Sequence, residues 1–313
     1  MFNINRNPLM KGSTGRHPTE ALPDYFQPFL YPERGFRGGY VRFTNVYKRV
    51  LSAQEYPLNV QKLFGEGLGC LALMWGLFQE NLEMAIAFFS KGPLDLFRVR
   101  CTGPTFRAAT QFSRHAANTP ILLNPSLKNH LKIYMKLSKK DCLNQDFPLV
   151  SSSLIKNVEH FYAKVLKLEM RIFLSVKPGE MVSGFVLQRD ANPTAEKTKS
   201  ELDVDWADAV RKAETLFGEE LHCYDFMALL REQFPMAEGE DWFFSYRQPL
   251  TFACICSKEL IVEKMLDPLN AGAWEEARED RCSRPKCECC GTVYPLTEED
   301  IKAIERKNYQ TTS

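Results

Sequence analysis

The sequence predicts an α+β fold: a mixed or antiparallel sheet domain with helices, then a helical linker, then a small cysteine-rich C-terminal domain. Three observations support this prediction. Strand-like and helix-like segments alternate over residues 35–188, acidic helical patterns follow, and six of the ten cysteines lie beyond Pro249. We therefore divide the chain into an N-terminal extension (1–34), an α+β core domain (35–188), an acidic helical linker (189–248), a cysteine-rich domain (249–306) and a tail (307–313).

The start of the chain predicts an extension without a fold of its own. Residues 1–23 are polar and contain no apolar run of the kind found in export signals. Arg6, Lys11 and Arg16 precede the first acidic residue, Glu20, which gives a weak likeness to a transit peptide. Composition favours a disordered extension over that alternative.

The core domain combines helical spacing with strand-like alternation. The apolar run Leu58–Phe78 predicts one long helix, and Ser153–Leu166 predicts another. Turn signals such as Lys91-Gly92-Pro93 separate the predicted strands, which favours a mixed or antiparallel sheet. The predicted strands are Gly39–Phe43, Met84–Phe89, Leu94–Cys101, His130–Leu137, Arg171–Val176 and Phe185–Gln188.

Three glycines, Gly65, Gly67 and Gly69, lie inside the predicted helix Leu58–Phe78. They look superficially like a phosphate-binding loop, but the segment follows no strand and lacks the spacing of the third glycine. We therefore expect these glycines to allow close packing of the helix.

The linker is acidic, with seven acidic and two basic residues between Glu201 and Glu220. Its pattern predicts short helices of low intrinsic stability, which stay folded only while they pack against ordered neighbours. An ordinary helical subdomain is the alternative. The apolar residues at helical spacing are Trp206, Val210, Leu216, Phe217, Phe226, Leu229, Leu230 and Phe234.

Two short motifs near the C-terminus contain four cysteines that can share one metal ion. Cys254-Ile-Cys256 offers two thiolates, and the turn Cys287-Glu-Cys289-Cys290-Gly291 offers two more. Thiolates are soft ligands, and a tetrahedral shell of four sulfurs is the shell that structural zinc favours. We predict a zinc site with one Zn²⁺ per chain, whose ligands are Cys254, Cys256, Cys287 and Cys290.

Two alternatives to this ligand set stay open. A rival turn pairs Cys287 with Cys289, and the four cysteines could instead be small buried hydrophobic residues. Cys282 is expected to be a loop thiol. The scattered Cys70, Cys101, Cys142 and Cys223 are expected to be core or partly buried residues.

Composition excludes several classes of function. The chain has 40 basic and 39 acidic residues, so its charge gives no footprint for nucleic acid. It contains no apolar run of the roughly 18–20 residues that a membrane span needs. The five histidines form no metalloprotease pattern, and no catalytic set is evident, so we expect a non-enzymatic, cytoplasmic protein with no nucleic-acid or membrane partner.

The cysteine pattern resembles that of the redox-regulated chaperone family of heat-shock protein 33, the 33 kDa chaperonin. The family pattern is Cys-x-Cys-Ser followed by Cys-x-x-Cys-Gly-x-x-Tyr, which this chain matches at Cys254–Ser257 and Cys287–Tyr294. Upstream, Gly35–Arg42 resembles the opening strand of the family, and Leu229–Phe234 resembles part of its linker. The resemblance extends from about Asp24 to Arg306.

The resemblance implies an ATP-independent holdase that binds unfolding or oxidatively damaged proteins once its zinc-bound cysteines are oxidised. It implies disulfides within the pairs Cys254/Cys256 and Cys287/Cys290, and a homodimer in the activated state. The alternative is a zinc-ribbon interaction module of a larger complex without holdase activity. Residues 249–313 contain nine basic and twelve acidic residues, a net charge of −3, which disfavours a nucleic-acid-binding ribbon.

Overall fold

The computed structural model of the chain forms two compact units. It describes residues 10–11, 24–78, 82–89, 94–113, 116, 123–127, 129–136, 142–190, 193, 196–216, 218–222, 225–238, 240–265, 284–297, 299–300 and 302. The first unit comprises Met1–Leu51 and Tyr56–Phe252, and the second comprises Ser52–Glu55 and Ala253–Ser313. No helix among the described residues is long and apolar enough to cross a membrane.

The first unit is a mixture of strands and helices. Its strands are β1 (Met10–Lys11), β2 (Tyr25–Tyr31), β3 (Phe36–Phe43), β4 (Glu83–Phe89), β5 (Leu94–Thr102), β6 (Thr105–Phe112), β7 (His130–Lys136), β8 (Cys142–Pro148), β9 (Met170–Lys177), β10 (Met181–Arg189), β11 (Phe243–Phe244), β12 (Gln248–Pro249) and β13 (Thr251–Phe252). Its helices are α1 (Asn45–Leu51), α2 (Leu58–Phe78), α3 (Leu154–Phe161), α4 (Lys199–Ala213), α5 (Gly218–Leu221) and α6 (Phe226–Gln233). A π-helical turn, Tyr162–Leu166, continues α3.

The strands form two sheets. The first sheet has the order β1-β11-β2-β3-β10-β9, with β12 also paired to β2, and the second has the order β13-β6-β5-β4-β7-β8. All the pairings between these strands are antiparallel except β13 with β6, which is parallel. The fold is therefore α+β, as predicted.

Helix α2 packs against both sheets. A Cβ atom added at Gly65 would lie 2.5 Å from Val176 of the first sheet, and one added at Gly67 would lie 2.7 Å from Phe97 of the second. Such distances are shorter than real side-chain contacts, so a larger residue at either position would force the helix away from a sheet. The prediction that these glycines serve close packing is confirmed.

The linker helices cover the opposite side of the first sheet. This side carries a layer that we call the aromatic face: Tyr25, Phe29, Tyr31, Phe36, Tyr40, Phe185 and Leu187. Phe226 of α6 stacks on Tyr40 with ring centroids 4.2 Å apart, and Trp242 lies 4.3 Å from the ring of Tyr31. Trp206 and Phe234 belong to the same buried cluster, whereas Phe217 lies outside the described residues.

Local sequence explains where two of the linker helices begin. Thr198 and Glu201 form a reciprocal capping box at the start of α4, and the Asp225 side chain accepts the Ala228 N–H at the start of α6. Helix α5 begins at Gly218, whose φ is +39°. These are short helices, so tertiary packing supplies most of their stability.

Polar contacts also hold the linker on the first sheet. The Tyr40 hydroxyl donates to the Leu221 carbonyl at 3.0 Å, and the His222 ring nitrogens lie 2.5 Å from Ser183 Oγ and 3.0 Å from Ser175 Oγ. The Glu240 carboxylate accepts hydrogen bonds from Tyr31 and Arg34. Burial would raise its pKa, but these bonds and the Ala237 N–H hold the pKa of Glu240 at about 2, so this anchor stays charged.

The structure corrects the reading of the N-terminal extension. The range 1–34 contains β2, which lies inside the first sheet between β3 and the β11 and β12 segments. Pro28 interrupts the strand pattern, because proline has no N–H to donate, but Pro28 pairs with Gly39 and its carbonyl accepts the Ser245 N–H. The strands β6 and β8 were not predicted from the sequence either.

Candidate metal centre

The second Cys motif forms a tight turn. The Gly291 N–H donates to the Cys287 carbonyl at 2.8 Å, and the Cys287 N–H donates to the Thr292 carbonyl at 2.9 Å. Gly291 has a φ of +73°, a conformation that residues with a Cβ rarely adopt. The motif therefore needs its glycine to bring Cys287 and Cys290 onto one side of the turn.

The first Cys motif lies in the short segment between β13 and helix α7 (Lys258–Met265). The Ser257 hydroxyl accepts the Leu260 N–H at 3.2 Å, which caps the start of α7 directly after Cys256. The Ile255 side chain between the two cysteines is 65% exposed. Cys254 and Cys256 instead direct their sulfurs toward the turn that contains Cys287 and Cys290.

The four sulfurs form one compact cluster. All four Sγ atoms lie within 4.8 Å of one another, with Cys254 to Cys287 at 3.6 Å and Cys256 to Cys290 at 3.4 Å. A zinc–sulfur distance of about 2.3 Å in a tetrahedron places the sulfurs about 3.8 Å apart. The donor set and its spacing therefore fit a four-coordinate zinc ion.

Two polar side chains support the cluster from outside. The Tyr294 hydroxyl lies 3.0 Å from Cys256 Sγ and 3.1 Å from the Cys256 carbonyl, and Thr292 Oγ1 lies 3.1 Å from Cys290 Sγ. A metal-bound thiolate carries negative charge, which such donors stabilise. The sequence reading gave no role to Thr292, whose only signal was its place directly after the Cys-x-x-Cys-Gly turn.

The four thiols have different pKa values because their surroundings differ. Burial raises the pKa of Cys254, Cys256 and Cys287. Burial also acts on Cys290, but hydrogen bonds from the side chain and backbone of Thr292 outweigh it and lower the pKa of Cys290 to about 7. Cys290 therefore ionises at the lowest pH of the four.

The remaining cysteines lie outside this cluster. Cys289 is partly exposed and is not among the four sulfurs that meet, although it stands between Cys287 and Cys290 in the chain. Cys70 and Cys101 are buried, as expected, whereas Cys142 is exposed, so that expectation was wrong for Cys142; all three lie in the first unit. Cys223 and Cys282 lie outside the described residues.

Substitution of Cys290 tests the ligand set against the rival turn. We expect Cys290→Ser to lower zinc affinity by more than about 100-fold, because losing a group that merely supports a ligand already costs about 10–100-fold. Competition with a chromogenic chelator measures the affinity. Cys289→Ser is the matched control and should keep about one zinc per chain. Undiminished binding in Cys290→Ser, with loss in Cys289→Ser, would assign the ligand to Cys289.

The sequence of the chain is similar to those of known proteins. The sequence model of the Hsp33 protein family matches residues 24–297. A 33 kDa chaperonin of Pseudomonas putida KT2440 is 27% identical over 241 residues, which cover 75% of this chain and 78% of that protein. A 33 kDa chaperonin of Photorhabdus laumondii is 22% identical over 290 residues, covering 91% of this chain and 98% of that protein.

A solved structure shares the fold. The crystal structure of the 33 kDa chaperonin homologue of Thermotoga maritima matches with a TM-score of 0.66 and 17% sequence identity. The match covers 92% of this chain and 99% of that chain. At this identity the likeness shows that the two chains have the same fold.

Proposed function

This chain belongs to the Hsp33 protein family, a family of chaperones, and from that premise we propose that it is a redox-regulated, ATP-independent holdase. It binds unfolding or oxidatively damaged proteins and prevents their aggregation. The observation that carries the proposal is the cluster of four sulfurs within 4.8 Å of one another, in a chain that matches this family over residues 24–297. We place its activity in the cytoplasm, as the family resemblance implies.

In the reduced state the proposed ligands of one Zn²⁺ are Cys254, Cys256, Cys287 and Cys290. A bound zinc ion supplies the charge that keeps four neighbouring thiolates deprotonated and the small domain folded around them. Tyr294 and Thr292 orient the sulfurs of Cys256 and Cys290. The division of the chain into core, linker and redox domain is part of this proposal.

Oxidation removes the ligands. Two thiols together give up two electrons and two protons, which reduce one peroxide molecule to two waters as the disulfide bond forms. Family resemblance favours the pairs Cys254/Cys256 and Cys287/Cys290, although the sulfurs also approach each other across the motifs, at 3.6 Å from Cys254 to Cys287 and 3.4 Å from Cys256 to Cys290. Either pairing consumes all four ligands.

Loss of the metal is proposed to release the linker. A structural zinc site contributes about 10–16 kcal/mol to a small domain, more than its few apolar contacts can replace. The linker continues directly into the cysteine-rich segment, and helices as short as α5 and α6 are marginal without packing. Their departure would uncover the aromatic face, a surface with the apolar character that binds unfolded chains. The activated protein is proposed to form a homodimer.

A light-scattering assay tests the function directly. A heat-unfolding client is mixed with reduced or peroxide-treated protein, and free thiols and released zinc are counted in the same samples. We expect the oxidised protein to suppress scattering and the reduced protein not to, with four thiols lost for each zinc released. The same protein after reduction and zinc reloading is the control. Thiol loss and zinc release without suppression would support an interaction module that lacks holdase activity.

A further inference from the structure

The second sheet has a face that points away from α2, and this face is rich in arginine and lysine. Phe97 and Val99 of β5 contact the helix at Gly67 and are fully buried, whereas Arg98 and Arg100 alternate with them and are partly exposed. Side chains alternate between the two faces of a strand. We define the basic face as the outward cations of β5, β6 and β7: Arg98, Arg100, Arg107, Lys132 and Lys136.

The sheet register brings like charges together. Arg100 of β5 is directly opposite Arg107 of β6, and Arg98 is two residues along on the same face. Directly opposed side chains on adjacent strands lie about 4.5–5.5 Å apart at their Cβ atoms, and like charges in such pairs are destabilising. An anion bound between Arg100 and Arg107 would offset their mutual repulsion.

The acidic residues of this face leave one arginine, Arg100, incompletely satisfied. Arg100 Nε is buried without a hydrogen-bond partner among the described residues, and the nearest carboxylate oxygen, on Glu83, lies 3.8 Å away. A second outward carboxylate, on Asp146, contacts His130 at 3.1 Å. A phosphate oxygen is an acceptor of the charge and size that a guanidinium N–H requires.

Small alanine side chains lie in the middle of the basic face, and two aromatic rings lie on the same side of the sheet. Ala85 and Ala87 of β4 and Ala109 of β6 lie between the long cationic side chains. Phe89, at the end of β4, is 54% exposed, and Tyr134 of β7 faces outward opposite Ala85. Tyr134 is partly exposed. Aromatic rings that reach the surface among cations provide stacking sites for the unpaired bases of single strands.

We infer that the basic face binds single-stranded RNA, with phosphates on the arginines and lysines and bases stacked on Phe89 and Tyr134. An acidic polypeptide would also satisfy the cations, but it would make no use of the exposed Phe89 ring and the partly exposed Tyr134 ring. The near-zero net charge of the whole chain predicts no nucleic-acid partner, but a sum over 313 residues does not describe one face. The fold concentrates here the cations that the sequence disperses.

The test uses the reduced, zinc-loaded full chain and a fluorescein-labelled oligouridylate of about 15 nucleotides. Fluorescence anisotropy gives the affinity between about 50 and 200 mM KCl. We expect the double variant Arg100→Gln/Arg107→Gln to bind at least about tenfold more weakly and to lower the slope of log K against log salt by about 1.4. Phe89→Ser should weaken binding about 5- to 100-fold and leave the slope unchanged, because it removes stacking without removing charge.

Matched and alternative variants make the outcome decisive. Lys48→Gln/Lys164→Gln removes two exposed cations elsewhere on the first unit and should bind within about twofold of the parent. Lys132→Gln replaces the arginine pair if that variant does not fold. Equal affinities for the basic-face and control variants, or no binding at the lowest salt, would overturn the proposal. Tight binding of labelled polyglutamate, together with an unchanged RNA affinity of the Phe89→Ser variant, would also overturn it and would make the face a site for acidic polypeptides.

Discussion

Chelation of zinc is expected to abolish amide-exchange protection in the cysteine-rich unit and in helices α4–α6, while α2 stays protected. The small unit has few buried side chains among its described residues, so we expect the proposed metal to supply most of its stability. The linker helices have 15, 4 and 8 residues and depend on their contacts with the aromatic face. A loss of about 3 kcal/mol already lowers protection about 100-fold.

Hydrogen exchange followed by mass spectrometry measures this response before chelation, after it, and after zinc is added back. Helix α2 is the internal control, because it packs between two sheets and contains no residue of the metal cluster. Protection should fall at least about 100-fold in α4–α6 and return with zinc. If α4–α6 kept their protection after the metal had gone, the proposed route from oxidation to client binding would be absent.

Replacement of Trp242 by Ala is expected to produce a holdase that needs no oxidation. Trp242 is 2% exposed, and its ring lies within 6 Å of the rings of Phe29, Tyr31 and Phe36. Truncation of a buried tryptophan costs about 3–5 kcal/mol, which is comparable to the whole docking energy of a marginal helical segment. The linker should therefore leave the aromatic face while the four cysteines still hold zinc.

The measurement is client light scattering with reduced variant, together with its zinc content. Tyr246→Ala is the matched control, since Tyr246 lies in the same segment and is 67% exposed. We expect suppression of aggregation by reduced Trp242→Ala, at one zinc per chain, and none by reduced Tyr246→Ala. A Trp242→Ala protein with an unprotected linker and no holdase activity would show that the aromatic face is not the client surface.

The sequence predicted the helix α2 with its observed ends, because a long apolar run fixes both the period and the length of a buried helix. It did not predict β8, whose seven residues are mostly exposed and show no apolar alternation. The strand is held at the sheet edge by pairing with β7, a contact that local pattern does not encode. The sequence analysis also missed β2, because Pro28 within this segment argues against a strand. Pairing with β3 on one side and β11 on the other nevertheless holds the strand in the sheet.

The metal cluster was easier to predict than the surface it is proposed to control. Ligand spacing in short motifs is a local property, so spacing favoured Cys254, Cys256, Cys287 and Cys290, although it left a rival turn with Cys289 open. The aromatic face joins β2, β3 and β10 to Trp242, and no local pattern connects residues so distant in the chain. Trp242 lies just beyond the helical spacing of the linker, which is why it was absent from the predicted apolar residues.

The pairing of β2 with the end of the linker has a consequence for synthesis on the ribosome. Gln27 of β2 binds the Ser245 carbonyl, 218 residues later in the chain. At about 5–20 residues per second, the N-terminal half of the aromatic face waits about 10–40 s for the segment that covers it. During that interval the nascent chain displays the surface with which the finished protein is proposed to capture others. We therefore expect the nascent chain itself to need protection from aggregation. The ribosome, another chaperone or a finished copy of the protein could provide it.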